Sequence, residues 1–223
     1  MPTKISLDRD AEGYSDYLVR LYPLVSARKV RPVVTRSGSR VRGFVPSRKA
    51  PEWARYESGL ERDMLRMLEV SSLAKAIHTH PFVMKLVGKA KPLHYTPDVV
   101  VELEQGGIIV EVKARYFLRK PEQRARFETI ASALRAERIE FVLITEDQIR
   151  PEGLQEELAE LLRQRPLVGR NRRGLDLSAW DPLHRSMADI ELEERWLVAQ
   201  RECDDLLIRL MRSGPEEALP IDC

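Results

Sequence analysis

The stretch that decides the fold is YTPDVVVELEQGGIIVEVKARY, residues 95–116. Two apolar runs, beginning at Val99 and Ile108, flank EQGG at 104–107. Valine and isoleucine dominate both runs, so the spacing predicts a β-hairpin, with Gly106 and Gly107 supplying the positive φ angles of a tight turn. Three charged residues interrupt this core-like pattern. Asp98 opens the first strand behind Pro97, and Glu111 and Lys113 share one face of the second while Val110 and Val112 take the other. A charge buried without a partner is costly, so their presence asks for a reason.

Working outward, KPEQRARFETIASALRAERI (120–139) reads as a helix with Phe127, Ile130 and Leu134 on one face, and EFVLIT (140–145) as a short buried strand. Upstream, EWARYESGLERDMLRMLEV (52–70) reads as one helix beginning behind Pro51, with Leu60, Met64, Met67 and Leu68 at helical spacing. Between this helix and the hairpin, Pro81 and Pro92 bracket a strand. The order helix, hairpin, helix, strand fits an α/β or α+β sheet with helices on its faces. Residues before about 50 read as loops with a short strand at Val41 to Val45. Beyond Arg150, GLQEELAELLRQRP (153–166) and LHRSMADIELEERWLVAQRECDDLLIRLMRSG (183–214) are helical patterns separated by a basic loop. Three parts follow: an N-terminal arm over 1–40, a core over 41–150, and a small helical C-terminal module over 151–223.

The chain has 223 residues, 43% of them hydrophobic, which is enough for a packed core. Its net charge of only +2 means that any signal for a charged partner must be local. It is local. No acid occurs from Tyr17 to Pro51, while Arg20, Arg28, Lys29, Arg31, Arg36, Arg40, Arg42, Arg48 and Lys49 all fall there. Such a segment is either a solvated arm or a phosphate-contacting one. Two cysteines, Cys203 and Cys223, make no disulfide framework, and neither an apolar leader nor a membrane-spanning run is present. The expectation is a soluble cytoplasmic protein without a membrane partner. Neither a phosphate-binding G-x-x-x-x-G-K-[ST] loop nor a G-x-S-x-G elbow occurs, which argues against an NTPase and an α/β-hydrolase.

Chemistry centres on the charged hairpin. Asp98, at the start of one strand, can bring its carboxylate near Glu111 on the next, and two such groups repel unless a cation or proton lies between them. Hard oxygen ligands of this kind suit Mg²⁺. An ion there would polarise a phosphate, and Lys113 could orient water or stabilise developing charge, which makes a coherent site for phosphodiester hydrolysis. The alternative is a salt-bridge cluster. On the preceding helix Glu61 lies on or beside the apolar stripe, with Glu57 one turn earlier, so both are candidate site acids. His78 and His80 in HTH have zinc-like spacing but no second ligand pair, and read as half-exposed strand residues. His94 reads as an ordinary polar strand residue, and Trp53, Trp180 and Trp196 as packing residues.

The ordered set of helix acid, Pro-Asp, and Glu-x-Lys across a hairpin resembles the PD-(D/E)xK nuclease superfamily. Within it, PSRKAPEWARYESGLERDMLRMLEV, YTPDVVVEL and IIVEVKARY are similar to the TnsA-type endonuclease subunit of heteromeric transposases. The resemblance spans roughly Val41 to Arg150. It implies a restriction-endonuclease-like mixed sheet flanked by helices, with Asp98, Glu111 and the Val112 carbonyl as metal ligands. Lys113 takes the place of the motif lysine and Glu61 that of the helix acid. It further implies Mg²⁺, with Mn²⁺ able to substitute, and double-stranded DNA at transposon ends as substrate. A transposase subunit and an ATPase regulator are the implied partners. Better-known relatives carry a larger winged-helix C-terminal domain. Here the shorter tail leaves a reduced winged helix and a simple docking helix both open. A free-standing nuclease of restriction or repair and a non-catalytic DNA-binding assembly subunit are the alternatives.

Overall fold

Both strands of the hairpin at 99–112 are covered on both faces, which is why their sequences run apolar without alternating. The structure, a computed structural model, describes residues 4–6, 41–51, 53–87, 93–165 and 187–213. Among these the chain runs β1 (Lys4–Ser6), β2 (Gly43–Val45), β3 (Ala54–Tyr56), α1 (Gly59–Val70), β4 (Ala76–Thr79), β5 (Met84–Val87), β6 (Leu93–Tyr95), β7 (Val99–Glu102) and β8 (Gly107–Val112). It continues through α2 (Arg115–Leu118), α3 (Pro121–Ala136), β9 (Glu140–Ile144), α4 (Glu146–Ile149), α5 (Leu154–Gln164) and α6 (Met187–Ser213).

The central sheet has the order β4-β7-β8-β9. Strands β4, β7 and β8 are antiparallel neighbours, whereas β9 lies parallel to β8 after the crossover through α2 and α3, so the sheet is mixed. On one face Val99, Val101, Ile108, Val110, Val112, Val142 and Ile144 pack in a core with α1, α5 and α6. On the other, Val100, Ile109, Phe141 and Leu143 meet Phe127, Ile130 and Leu134 of α3. The result is an α/β arrangement of a mixed four-stranded sheet between helices. Two smaller antiparallel sheets, β1-β5-β6 and β2-β3, complete the described strands.

The C-terminal helices are part of the first core. Leu192, Trp196, Ala199, Cys203, Leu206, Leu207 and Leu210 recur every three or four residues along α6 and are all buried. Asp204 fastens that helix to the end of α1: Oδ1 accepts from the Ser71 hydroxyl (2.5 Å) and Ser72 N–H (2.8 Å), and Oδ2 from the Ser72 hydroxyl (2.6 Å).

Four details differ from the sequence reading. The segment 52–70 is not one helix: Ala54–Tyr56 pairs with β2, Val45 facing Ala54, and α1 starts only at Gly59. Ser58 sets that start, since its Oγ accepts from Glu61 N–H at 3.1 Å, while the ladder with β2 makes Ala54–Tyr56 a strand. Glu57 therefore lies ahead of α1 and not one turn along it. In the hairpin turn Gly106 alone takes a positive φ, of 83°, because Leu103 N–H reaches back to Gly106 O at 3.0 Å and Gly107 already belongs to β8. Lastly, residues 4–6, read as loop, pair with β5, Lys4 opposite Val87. No described helix is long and apolar enough to cross a membrane.

Candidate metal centre

The register of β7 against β8, Val99 facing Val110, carries Asp98 to the end of β8. There Asp98 Oδ2 accepts from Val112 N–H at 2.9 Å. Lys113 leaves the strand with its N–H on Ile144 O (2.9 Å) and turns its side chain back. Its ammonium stands 3.0 Å from Asp98 Oδ2, 3.0 Å from Val112 O and 2.6 Å from Glu111 Oε1. Three N–H donors thus meet three oxygens. Glu111 is fixed from behind, where the buried Tyr95 hydroxyl donates to its Oε2 at 2.9 Å.

Glu61 reaches the same place from α1. Its carboxylate is tied to the helix start: Ser58 Oγ donates to Glu61 Oε1 (2.9 Å), and Oε2 accepts Glu57 N–H (2.7 Å). The same Oε2 lies 3.7 Å from His80 Nε2. Glu61, His80 and Asp98 each offer a ligand atom, all within 4.8 Å of one another. Asp98 is therefore shared between two groupings, one with Glu111, Val112 O and Lys113, the other with Glu61 and His80.

The charge balance is uneven. Glu61, Asp98 and Glu111 are only 7%, 8% and 3% exposed, and a single lysine ammonium stands among these three carboxyl groups. Burial, then the neighbouring Asp98, raises the Glu61 carboxyl above its ordinary range. The same two causes push Glu111 up to about 7. Burial works against the Lys113 charge, but Glu111 and Asp98 outweigh it and hold the ammonium above ordinary lysine. Three buried carboxyl groups around one ammonium, with a main-chain carbonyl beside them, make a hard-oxygen donor set that fits a divalent cation, whose binding would favour their ionised forms.

The four hairpin and helix residues singled out from the sequence, Glu61, Asp98, Glu111 and Lys113, come together with the Val112 carbonyl. The described basic residues, Arg42, Arg48 and Lys49, do not join them. Arg28, Lys29, Arg31, Arg36 and Arg40 lie outside the described residues, as does Trp180. Arg42 sits at the entry to β2. Arg48 is buried, its main-chain N–H on Glu69 Oε1 at 2.8 Å. Lys49 turns inward, its ammonium on the carbonyls of Leu68 (2.8 Å) and Ser71 at the C-terminal end of α1, where a cation suits the helix dipole.

Trp196 is buried as expected, whereas Trp53 is 68% exposed, edge-on to Phe44. The packing role read for Trp53 fails: Ala54, the first residue of β3, faces the core, and Trp53 just before it stands outside. His94 is exposed. His78 pairs with Glu102 at 2.6 Å, but His80 enters the acid cluster, which the sequence reading missed. The signal was present in HTHP. The second histidine stands where β4 ends, and only the β4–β7 register reveals that this end faces Asp98. In comparison with known proteins, no family model matches the chain and no curated protein matches it significantly.

Proposed function

We propose that this chain is a divalent-metal-dependent DNA endonuclease that hydrolyses phosphodiester bonds at transposon ends as one subunit of a heteromeric transposase. The observation that carries the reading is the convergence of Asp98 Oδ2, Glu111 Oε1 and Val112 O on one point, with Glu61 beside them and one ammonium shared among three buried carboxyl groups. DNA, transposon ends, the partner transposase and an ATPase regulator come from the resemblance of residues 41–150 to TnsA-type subunits.

Asp98, Glu111 and the Val112 carbonyl would hold Mg²⁺, or Mn²⁺ in its place, with Glu61 beside Asp98. A divalent ion bound there supplies Lewis acidity toward a phosphate oxygen and lowers the pKa of water. The chain's own groups do the rest. Lys113, whose side chain is 26% exposed, is the cationic group of the cluster that reaches outward. With those three oxygens given over to such an ion, the Lys113 ammonium would be free to meet a phosphate oxygen or the attacking water. Tyr95 keeps one oxygen of Glu111 engaged and so aims the other into the site. Positively charged residues of the 28–42 segment track the DNA backbone in this reading, which makes binding salt-dependent.

A second reading has one observation in its favour: the closed ring of Lys113 with Asp98 and Glu111 is also what a purely structural ion-pair cluster looks like. That reading makes the chain a non-catalytic assembly subunit. Nicking of end-bearing DNA by the purified chain, with Mg²⁺ and its partner transposase, separates the two. Nicking that depends on Mg²⁺ and is lost on Asp98→Asn or Lys113→Ala supports the endonuclease. Undiminished nicking by either variant, or none by the wild type, sinks it. Equal nicking of unrelated DNA without a transposase would instead favour a free-standing nuclease.

A further inference from the structure

We propose that His80, beside Glu61 and Asp98, is a nitrogen ligand to a divalent cation at this site, and that it makes the site take Mn²⁺ in preference to Mg²⁺. The inference rests on the metal-dependent reading above but adds a ligand and a metal preference that the carboxylates alone do not provide.

Pairing of β4 with β7, Thr79 opposite Val99, sets the next residue, His80, beside Asp98, and His80 N–H donates to Asp98 O at 3.0 Å. At that point the strand breaks: His80 has φ 47°, a left-handed conformation that costs a non-glycine residue about 1 kcal/mol. The turn separates His80 from His78, its partner in the two-residue strand period. His78 stays on the sheet with Glu102, while His80 points Nε2 toward Glu61. The 3.7 Å between His80 Nε2 and Glu61 Oε2 is too long for a hydrogen bond, and among the described residues the His80 ring makes none.

That spacing does match two ligands of one ion. Ligand atoms about 2.1 Å from a shared cation lie ~3.0 Å apart when adjacent and ~4.2 Å apart when opposite. The mutual limit of 4.8 Å for the ligand atoms of Glu61, His80 and Asp98 accommodates this range after small side-chain movement.

Ligand type then sets the metal. Mg²⁺ prefers oxygen ligands and water, whereas an imidazole nitrogen favours the first-row transition cations, among which Mn²⁺ accepts a carboxylate-rich shell.

The test is cation binding by the full chain, measured by calorimetry with MnCl₂ and MgCl₂, together with pulsed EPR of the Mn²⁺-loaded protein for coupling to ¹⁴N. The variant is His80→Asn, because asparagine tolerates the left-handed backbone and removes the imidazole. His78→Asn serves as the control histidine. The expected result is Mn²⁺ bound about tenfold or more tighter than Mg²⁺ by the wild type, with a ¹⁴N coupling. In His80→Asn the coupling is lost and the two affinities converge to within about threefold, while His78→Asn keeps the coupling.

Mn²⁺ binding without ¹⁴N coupling, or coupling that survives in His80→Asn, overturns the role of His80 and leaves the carboxylate site standing. Failure of the wild type to bind either cation overturns this inference and the metal-dependent reading together. A folded His80→Asn, checked by circular dichroism and thermal melting, is expected from its backbone preference. Should it unfold, the wild-type ¹⁴N signal still decides between His80 and an all-oxygen site.

Discussion

Replacing Lys113 with methionine removes the one lysine ammonium from a cluster of three buried carboxylates while keeping most of the side-chain volume. In the wild type that ammonium serves Asp98, Glu111 and Val112 O at 3.0, 2.6 and 3.0 Å. Taking one partner from a buried ion pair costs ~3–5 kcal/mol. Lys113 is 26% exposed, so water recovers part of this, and a loss of about 2–3 kcal/mol is expected. Urea unfolding with a chelator present reads that loss. Adding a divalent cation should then return stability, by ~2.7 kcal/mol at a hundred times its dissociation constant. The gain should be larger in Lys113→Met than in the wild type, where the ammonium competes for the same oxygens. A variant as stable as the wild type in chelator, or one with no extra response to cation, would refute the idea that these oxygens form a cation site.

Three further outcomes follow from other contacts. Burial lowers the Lys49 ammonium to about 8, against the opposing pull of Glu69 and Asp204. A lysine depressed in the folded state penalises folding fully below that value, and the penalty is relieved as pH rises toward the unfolded value of 10.5. Wild-type stability should therefore gain on the order of 3 kcal/mol from pH 8 to 10.5 relative to Lys49→Met, and parallel stability–pH curves would contradict this. Tyr95→Phe deletes the donor on Glu111 Oε2 and should weaken cation affinity about tenfold in calorimetry with little change in fold; unchanged affinity would show that Tyr95 does not orient Glu111. Asp204→Ala unties α6 from Ser71 and Ser72 and should cost about 2 kcal/mol in urea unfolding without altering cation affinity, while a neutral effect would show that the helix is held by its apolar stripe alone.

Much of this architecture was legible in local pattern. The β7–β8 hairpin, α3, β9, α5 and α6 follow apolar runs and helical spacing that tertiary contacts do not override. The Asp98, Glu111 and Lys113 grouping was legible because charges inside such runs need partners. What escaped depended on pairing between segments distant in sequence. The strand at Ala54–Tyr56 carries a helix-compatible sequence, and only its ladder with β2 makes it a strand. His80 is one polar residue at a strand end until β4 aligns with β7 and a left-handed turn brings its ring to Glu61. Lys49 belongs to a basic run by sequence, yet burial against the end of α1 gives it a structural task. A charge run shows where cations are plentiful, not which of them faces solvent.

The account stands most directly on where a divalent ion binds. Anomalous diffraction at the manganese edge from Mn²⁺-soaked crystals locates it without reference to activity. The account predicts a peak about 2.2 Å from oxygens of Asp98 and Glu111 and from the Val112 carbonyl, with the Lys113 ammonium displaced from its three partners. Saturating Mn²⁺ that leaves no peak there, with Lys113 still bridging Asp98 and Glu111, would contradict it.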